Sequence, residues 1–460
     1  MDGPVGPRCG LTTADGQVSP GSAFIGSTMK PEQTATTHAT EGDPLGPDDL
    51  VAADAVADDH LAARRASAAG RTGTALCLSG GGYRAALFHL GALRRLNELG
   101  VLSQLTTVTG VSGGSIVANL LADPRLTFPG DGGVVEGFED FVAEPLARLT
   151  SRNIRTPALL ARAKPWKWLT RDAAIRALAD ELADVVTGWS RPLRDSSRSG
   201  PAVVTCATEI GYGVDWVFED PTAHRPHGRV GDYRLGYAAP PADLRLAEVV
   251  AASCAFPPFF APMVLDGVAI HLTGGKKGLE SEEERAAIMR RIRLTDGGVY
   301  DNLGLEPVWK RHATVLVSDG GGVFRARTER TVVGRTLRIL GIATNGGQSV
   351  RSRWLQAGFT RGALRGTSWA LDTVVDGCYP RATTELINAV RTDLDAFSRE
   401  EQHVLERHGY LIADAQVRAH CPELVTRDAP AVPPHDDVAD PAVASAALVD
   451  SSKRRLLGRS

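Results

Sequence analysis

The sequence is short of three things, and each shortage bounds what the protein does. Charge of one sign is not in excess: 51 Lys and Arg stand against 54 Asp and Glu, a net charge of −3. Nothing electrostatic therefore supports a nucleic-acid partner. Cysteine is sparse and unpatterned. The six residues Cys9, Cys77, Cys206, Cys254, Cys378 and Cys421 form no C-x-x-C pair, which argues against a zinc site or a disulfide framework and predicts a reducing compartment, the cytoplasm. His224 and His227 sit in a Pro/Gly-rich loop without cysteine or acidic company, so no metal and no other cofactor is expected. Long apolar runs are also missing. No uninterrupted stretch of about 18 apolar residues is present to span a membrane, and no apolar segment follows a basic start as a secretory signal requires. Contact with lipid is expected to be peripheral.

What is present is concentrated between Thr74 and Leu121. Thr74–Ser79 is short, apolar and bounded by glycine, as a strand buried on both faces would be. It runs into Gly80-Gly81-Gly82, after which Ala86, Leu87, Leu90, Leu93 and Leu96 recur at helical spacing up to Gly100. Gln104–Thr109 predicts a second strand, and Gly110-Val111-Ser112-Gly113-Gly114 turns it into a second helix. Two glycine turns at the carboxyl ends of adjacent parallel strands point into one crevice. One turn offers a hydroxyl, Ser112. The other offers bare amides, at Gly80, Gly81 and Gly82, with Gly113 beside the serine as a further donor. Acyl transfer needs that pairing of nucleophile and oxyanion hole. Glycines 110 and 114 fit the close approach of a strand-to-helix elbow.

Around this centre the chain divides into three parts. Residues 1–72 are rich in Gly, Pro, Thr, Ala and Asp and poor in large apolar side chains, so a disordered tail is expected. Residues 73–425 read as the catalytic domain, and 426–460, again dominated by Pro, Asp and Ala, as a flexible tail. Within the domain, 151–171 carries six cations, Trp166, Trp168 and no acid. That composition suits the headgroup level of a membrane and marks a candidate lipid-facing cap. Strands are expected at Ala202–Thr208, Arg291–Asp296 and Ala313–Ser318, and helices at Val134–Leu149, Leu246–Cys254, from about Leu305, over Arg335–Arg365 and over Thr383–His420. Phe256, Phe259 and Phe260 follow the Leu246 helix and are candidates to line an apolar groove. Asp296 and Asp319 each end an apolar strand before glycine.

Four blocks, in order, resemble the patatin-like phospholipase family: Gly80-Gly81-Gly82-Tyr83-Arg84, Gly110 to Gly114, Ala252-Ser253-Cys254-Ala255-Phe256-Pro257, and Asp296-Gly297-Gly298 with Asn302. The resemblance covers about Thr74 to Ser318. It implies a three-layer α/β/α fold with a mostly parallel central sheet and a Ser–Asp dyad of Ser112 as nucleophile and Asp296 as base. It further implies that Asp319 is not the base and that Arg84 aids phosphate or oxyanion charge. The activity implied is hydrolysis of lipid acyl esters, with a lipid substrate or membrane surface as the partner.

Three other readings compete. Gly80, Gly82 and Ala85 satisfy a dinucleotide-binding fingerprint, but the second strand ends without the acid that would hold a ribose. A Ser–His–Asp triad would draw on His403, His408 or His420. A lipid- or anion-binding module would use only the helix N-termini at Gly82 and Gly114.

Overall fold

The computed structural model describes residues 70–130, 132–161, 173–196, 200–222, 225–321 and 331–449. The expected tail 1–72 therefore lies outside the described residues up to position 69, as do Trp166 and Trp168 of the cap candidate. The strands are β1 (Thr74–Leu78), β2 (Leu105–Val111), β3 (Ala202–Glu209), β4 (Val214–Glu219), β5 (Arg229–Asp232), β6 (Gly236–Ala238), β7 (Met263–Leu265), β8 (Ile292–Asp296), β9 (Thr314–Asp319) and β10 (Arg365–Ala370). The helices are α1 (Gly82–Glu98), α2 (Gly113–Leu120), α3 (Glu144–Thr150), α4 (Arg155–Leu160), α5 (Ala173–Val185), α6 (Leu246–Ser253), α7 (Glu282–Met289), α8 (Val332–Thr360), α9 (Arg381–Ala389), α10 (Arg399–His420) and α11 (Pro441–Leu448).

The sheet order is β10-β9-β1-β2-β3-β4-β5-β6, with β8 on β3 and β7 on β8. From β10 to β3 all neighbours are parallel; β4, β5, β6, β7 and β8 extend the sheet antiparallel. Because successive strand residues point to opposite faces, β1 splits its side chains between two cores. Leu76 and Leu78 join the larger one with Val108 and Leu316. Ala75 and Cys77 join the smaller one with Val315, Val317, Trp309 and Leu355. Helices cover both faces, and the fold is the expected three-layer α/β/α arrangement with a parallel centre.

On the larger face α1 lies against α10 at backbone contact. A Cβ at Gly91 would stand 1.8 Å from the Glu406 carbonyl oxygen, and one at Gly409 would stand 1.9 Å from that of Phe88. Only glycine permits this approach. It leaves α1 buried nearly all round, His89 and Arg95 included.

Four expectations change. No helix follows Leu305, because the buried Asp301 carboxylate takes the N–H groups of Leu303, Leu305 and Glu306 and holds a turn instead. Strand β10 was not foreseen: its sequence RGTSWA has no apolar run, and it pairs along β9 alone at the sheet edge. The helical pattern from Thr383 to His420 breaks between α9 and α10, releasing Asp393 toward the cavity described below. Residues 426–449, expected to be a flexible tail, lie against the domain. The fully buried Arg95 guanidinium needs acceptors and finds one in the Ala429 carbonyl at 2.8 Å; Tyr379 donates to Val438 O at 2.6 Å, and Ala444 and Leu448 are buried.

Candidate active site

The site begins with how β3 uses its two edges. One edge pairs with β4 along Val204–Glu209. The other is shared in turn by β2, along Ala202–Cys206, and β8, along Ala207–Glu209. Since β2 is parallel to β3 and β8 antiparallel, the two run toward each other and stop where Cys206 gives way to Ala207. Val111 faces Cys206 and Asp296 faces Ala207. The residue after Val111 is Ser112, whose hydroxyl lies near enough to the Asp296 carboxyl to favour its charged form.

Among the described residues Ser112 is one of three non-glycine residues at positive φ, with φ 50° and ψ −119°. That conformation is strained for an L-residue and lifts the side chain off the strand-to-helix turn. The strain is held by close packing of bare backbone. A Cβ at Gly113 would lie 2.0 Å from the Gly82 carbonyl oxygen, and one at Gly114 would lie 2.2 Å from that of Leu78. The two glycine turns therefore touch each other.

The block Ala252 to Pro257 fixes both members of the pair. Ser253 Oγ accepts the Ser112 N–H at 2.9 Å and donates to Cys206 O at 2.6 Å. The Ala255 carbonyl accepts the Asp296 N–H at 3.1 Å and the Thr295 hydroxyl at 2.7 Å. In the sequence, the sign of this role is a serine at the end of an apolar helix. Asp296 is 3% exposed. Burial pushes its carboxyl up to about 7, against the opposing pull of the Gly298 N–H, at 2.8 Å from Oδ1, and the Ser112 hydroxyl.

Of the expected oxyanion donors, Gly80 is corrected. Its N–H donates to Asn302 O at 3.0 Å, because the turn after Asp296 brings Asn302 against the glycine loop. The N–H groups of Gly81, Gly82 and Gly113 have no acceptor among the described hydrogen bonds. They open α1 and α2, where first-turn amides lack intrahelical partners and the helix dipole favours an anion.

A cavity of about 430 Å³ stands over these groups, lined by Ser112, Asp296 and the Gly80–Gly82 turn. Phe256, Phe259 and Phe260 line it as expected. Arg84 also borders it, but its guanidinium donates to the carbonyls of Val390, at 2.8 Å, and Gly320, at 3.3 Å. It braces loops, which corrects its reading as a cation held for phosphate. Arg155 was missed as a lining residue. It sits on α4, paired with Asp393, whose carbonyl accepts the Tyr83 N–H at 2.9 Å; the basic run around it gives no sign that this member is buried. Asp319 is held by Ser79, Gly321 and Gln348 and does not line the cavity. No described histidine lines it either. His408 is buried with Nε2 2.9 Å from Leu371 O, and His403 stacks on His435 with ring centres 3.7 Å apart, beside Asp437.

The site thus joins a parallel-centred α/β sheet, a serine elbow, a nearby aspartate and a glycine turn with amides that have no acceptor among the described hydrogen bonds. The sequence profile described as Patatin-like phospholipase matches residues 76–309, just over half of the chain. The chain belongs to the patatin-like phospholipase family. Solved structures similar to it include human GIVD cytosolic phospholipase A2, at 14% identity and TM-score 0.35 over 56% of this chain and 48% of that one. VipD from Legionella pneumophila is similar at 14% identity and TM-score 0.30, over 76% of this chain and 67% of that one. The chain thus spans about half the length of the human protein. No curated protein sequence matches it.

Proposed function

We propose that the protein is a lipid acyl hydrolase that cleaves acyl esters of phospholipids by a Ser112–Asp296 dyad. The observation that carries the reading is the meeting of β2 and β8 on one edge of β3, which sets a strained serine against a buried carboxyl beneath unengaged amides. In the first step Asp296 takes the proton as Ser112 Oγ attacks the acyl carbonyl. The resulting oxyanion is held by Gly81, Gly82 and Gly113. Collapse breaks the ester C–O bond, and the proton on Asp296 passes to the departing alcohol, a lysolipid. Water then attacks the acyl-enzyme, gives its proton to Asp296 and releases the fatty acid as Ser112 recovers its proton.

An ordinary aspartate is too weak a base for this. Desolvation lifts Asp296 to about 7, near working pH, where a general base is most effective. The phenylalanines give the acyl chain an apolar wall. The catalytic domain in this reading is 73–425, with 426–449 packed onto it. Five described cysteines are free thiols, which supports the cytoplasmic setting within the same proposal. No helix among the described residues is long and apolar enough to cross a membrane, so substrate would be met at a lipid surface.

The test is product analysis on defined phospholipids with wild type and Ser112→Ala. Release of fatty acid and lysolipid by wild type alone is expected. Equal release by both proteins, or none by either, would remove the assignment.

A further inference from the structure

Helix α8 carries two nearly opposite faces with different chemistry. Its 29 residues, Val332–Thr360, include Arg335, Arg338, Arg351 and Arg353 and no acid. At about 100° of rotation per residue, Gly341, Thr344, Asn345 and Gln348 share one sector, and all four line the cavity over Ser112. Leu355, in the same sector, is buried in the smaller core. The sector about 150° round the helix carries Val332, Arg335, Ile339, Ile342, Val350 and Arg353, and every one of these is exposed. Ile339 is 66% exposed and Ile342 52%.

Gln348 ties the roof to the floor. Its Nε2 donates to Asp319 at 2.8 Å, and its Oε1 accepts from Asn302 Nδ2 at 3.2 Å. Asn302 is the residue whose carbonyl holds Gly80. The exposed sector is thus the outer face of a helix whose inner face is registered against the site.

We infer that the Val332–Arg353 face of α8 is where the protein docks on an anionic lipid bilayer, with α8 between the lipid and the cavity; this rests on the lipid-hydrolase reading above. Guanidinium groups interleaved with branched aliphatic side chains on one helical face match a plane of phosphates over hydrocarbon, where each finds its own solvent. A second copy of the same face would set arginine against arginine with no acid on the helix to relieve them. A nucleic acid would satisfy the arginines and leave Ile339 and Ile342 in water. Since α8 is not apolar enough to span a membrane, it would lie along the surface.

The experiment is co-sedimentation of the full chain with vesicles of phosphatidylcholine alone and of phosphatidylcholine mixed with phosphatidylglycerol, beside hydrolysis of a water-soluble short-chain ester. Two double variants are compared with wild type: Ile339→Asp with Ile342→Asp, and Arg335→Glu with Arg353→Glu. Wild type is expected to bind the anionic vesicles, and each double variant to lose at least about tenfold in partitioning. Hydrolysis of the soluble ester should stay within about twofold, since none of the four side chains lines the cavity. Unchanged partitioning in either variant would overturn the docking surface, as would equal binding to neutral vesicles or a wild-type dimer that either variant dissolves. Variant-sensitive vesicle binding with no ester hydrolysis by wild type would instead remove the hydrolase reading and leave the surface standing.

Discussion

The floor and the roof of the cavity are built on opposite terms. Ser112, Asp296 and the two glycine turns are buried or half-buried and held at their main chain: φ 50° at Ser112, a Cβ at Gly113 only 2.0 Å from the Gly82 carbonyl oxygen, and bonds to the Ser112 and Asp296 N–H groups from the Ser253 hydroxyl and the Ala255 carbonyl. The roof, α8 with the cavity edge at Phe256, is joined to the floor by side chains and is partly exposed. A floor held by backbone keeps reacting atoms in register, and a roof held by side chains can differ between substrates without disturbing them. Removing floor groups should therefore strike kcat, and removing roof groups should strike KM.

The largest expected effect is loss of the dyad: Ser112→Ala or Asp296→Asn should lower kcat by about a thousandfold or more, measured on a phospholipid substrate with circular dichroism checking the fold. Next comes Gly113→Ala. Its Cβ must push the Gly82 turn away, and loss of oxyanion donors should cost about a hundredfold in kcat, read from steady-state kinetics with KM little changed. Ser253→Ala leaves the Ser112 N–H without its acceptor, a penalty of about 1–3 kcal/mol, so a tenfold or larger drop in kcat is expected. Rescue by Ser253→Thr would show that the hydroxyl is what matters. The smallest effect belongs to the roof. Phe256→Ala should raise KM for long-chain esters by roughly threefold to tenfold at constant kcat; a fall in kcat instead would blur the distinction between the two regions.

Asp296 also links the floor to stability. Its folded value is raised from the ordinary carboxylate range to about 7. Between about pH 4, where the unfolded carboxyl loses its proton, and pH 7, the folded state holds the proton more tightly. Stability from this group is thus present below that window and is lost as pH rises through it. Asp296→Asn should then raise Tm more at pH 8 than at pH 4, measured by calorimetry.

The same division explains what the sequence disclosed. The floor was legible because its demands are steric and local. Gly80–Gly82, Gly110, Gly113 and Gly114 mark where backbone approaches backbone, and β1 reads as the short apolar run of a strand buried on both faces. That Asp296 would reach Ser112 came from family resemblance, because the meeting of β2 and β8 is a matter of long-range pairing that no spacing encodes. The Gly80 amide was assigned to the oxyanion hole because nothing local shows that Asn302, more than two hundred positions on, will take it. Arg84 and Arg155 were misjudged for a related reason: a cation's partners, here the carbonyls of Val390 and Gly320 and the carboxylate of Asp393, belong to distant loops. The edge strand β10 was missed because it buries little and needs no apolar run.

The central claim is that Ser112 is activated by Asp296, and the most direct measurement is the rate of Ser112 labelling by a fluorophosphonate as a function of pH. The rate for wild type should rise with an apparent pKa near 7 and level off above it, while Asp296→Asn should label at a low rate at every pH. Labelling of Ser112 that is indifferent to Asp296, or that does not vary between pH 5 and pH 9, would contradict the account.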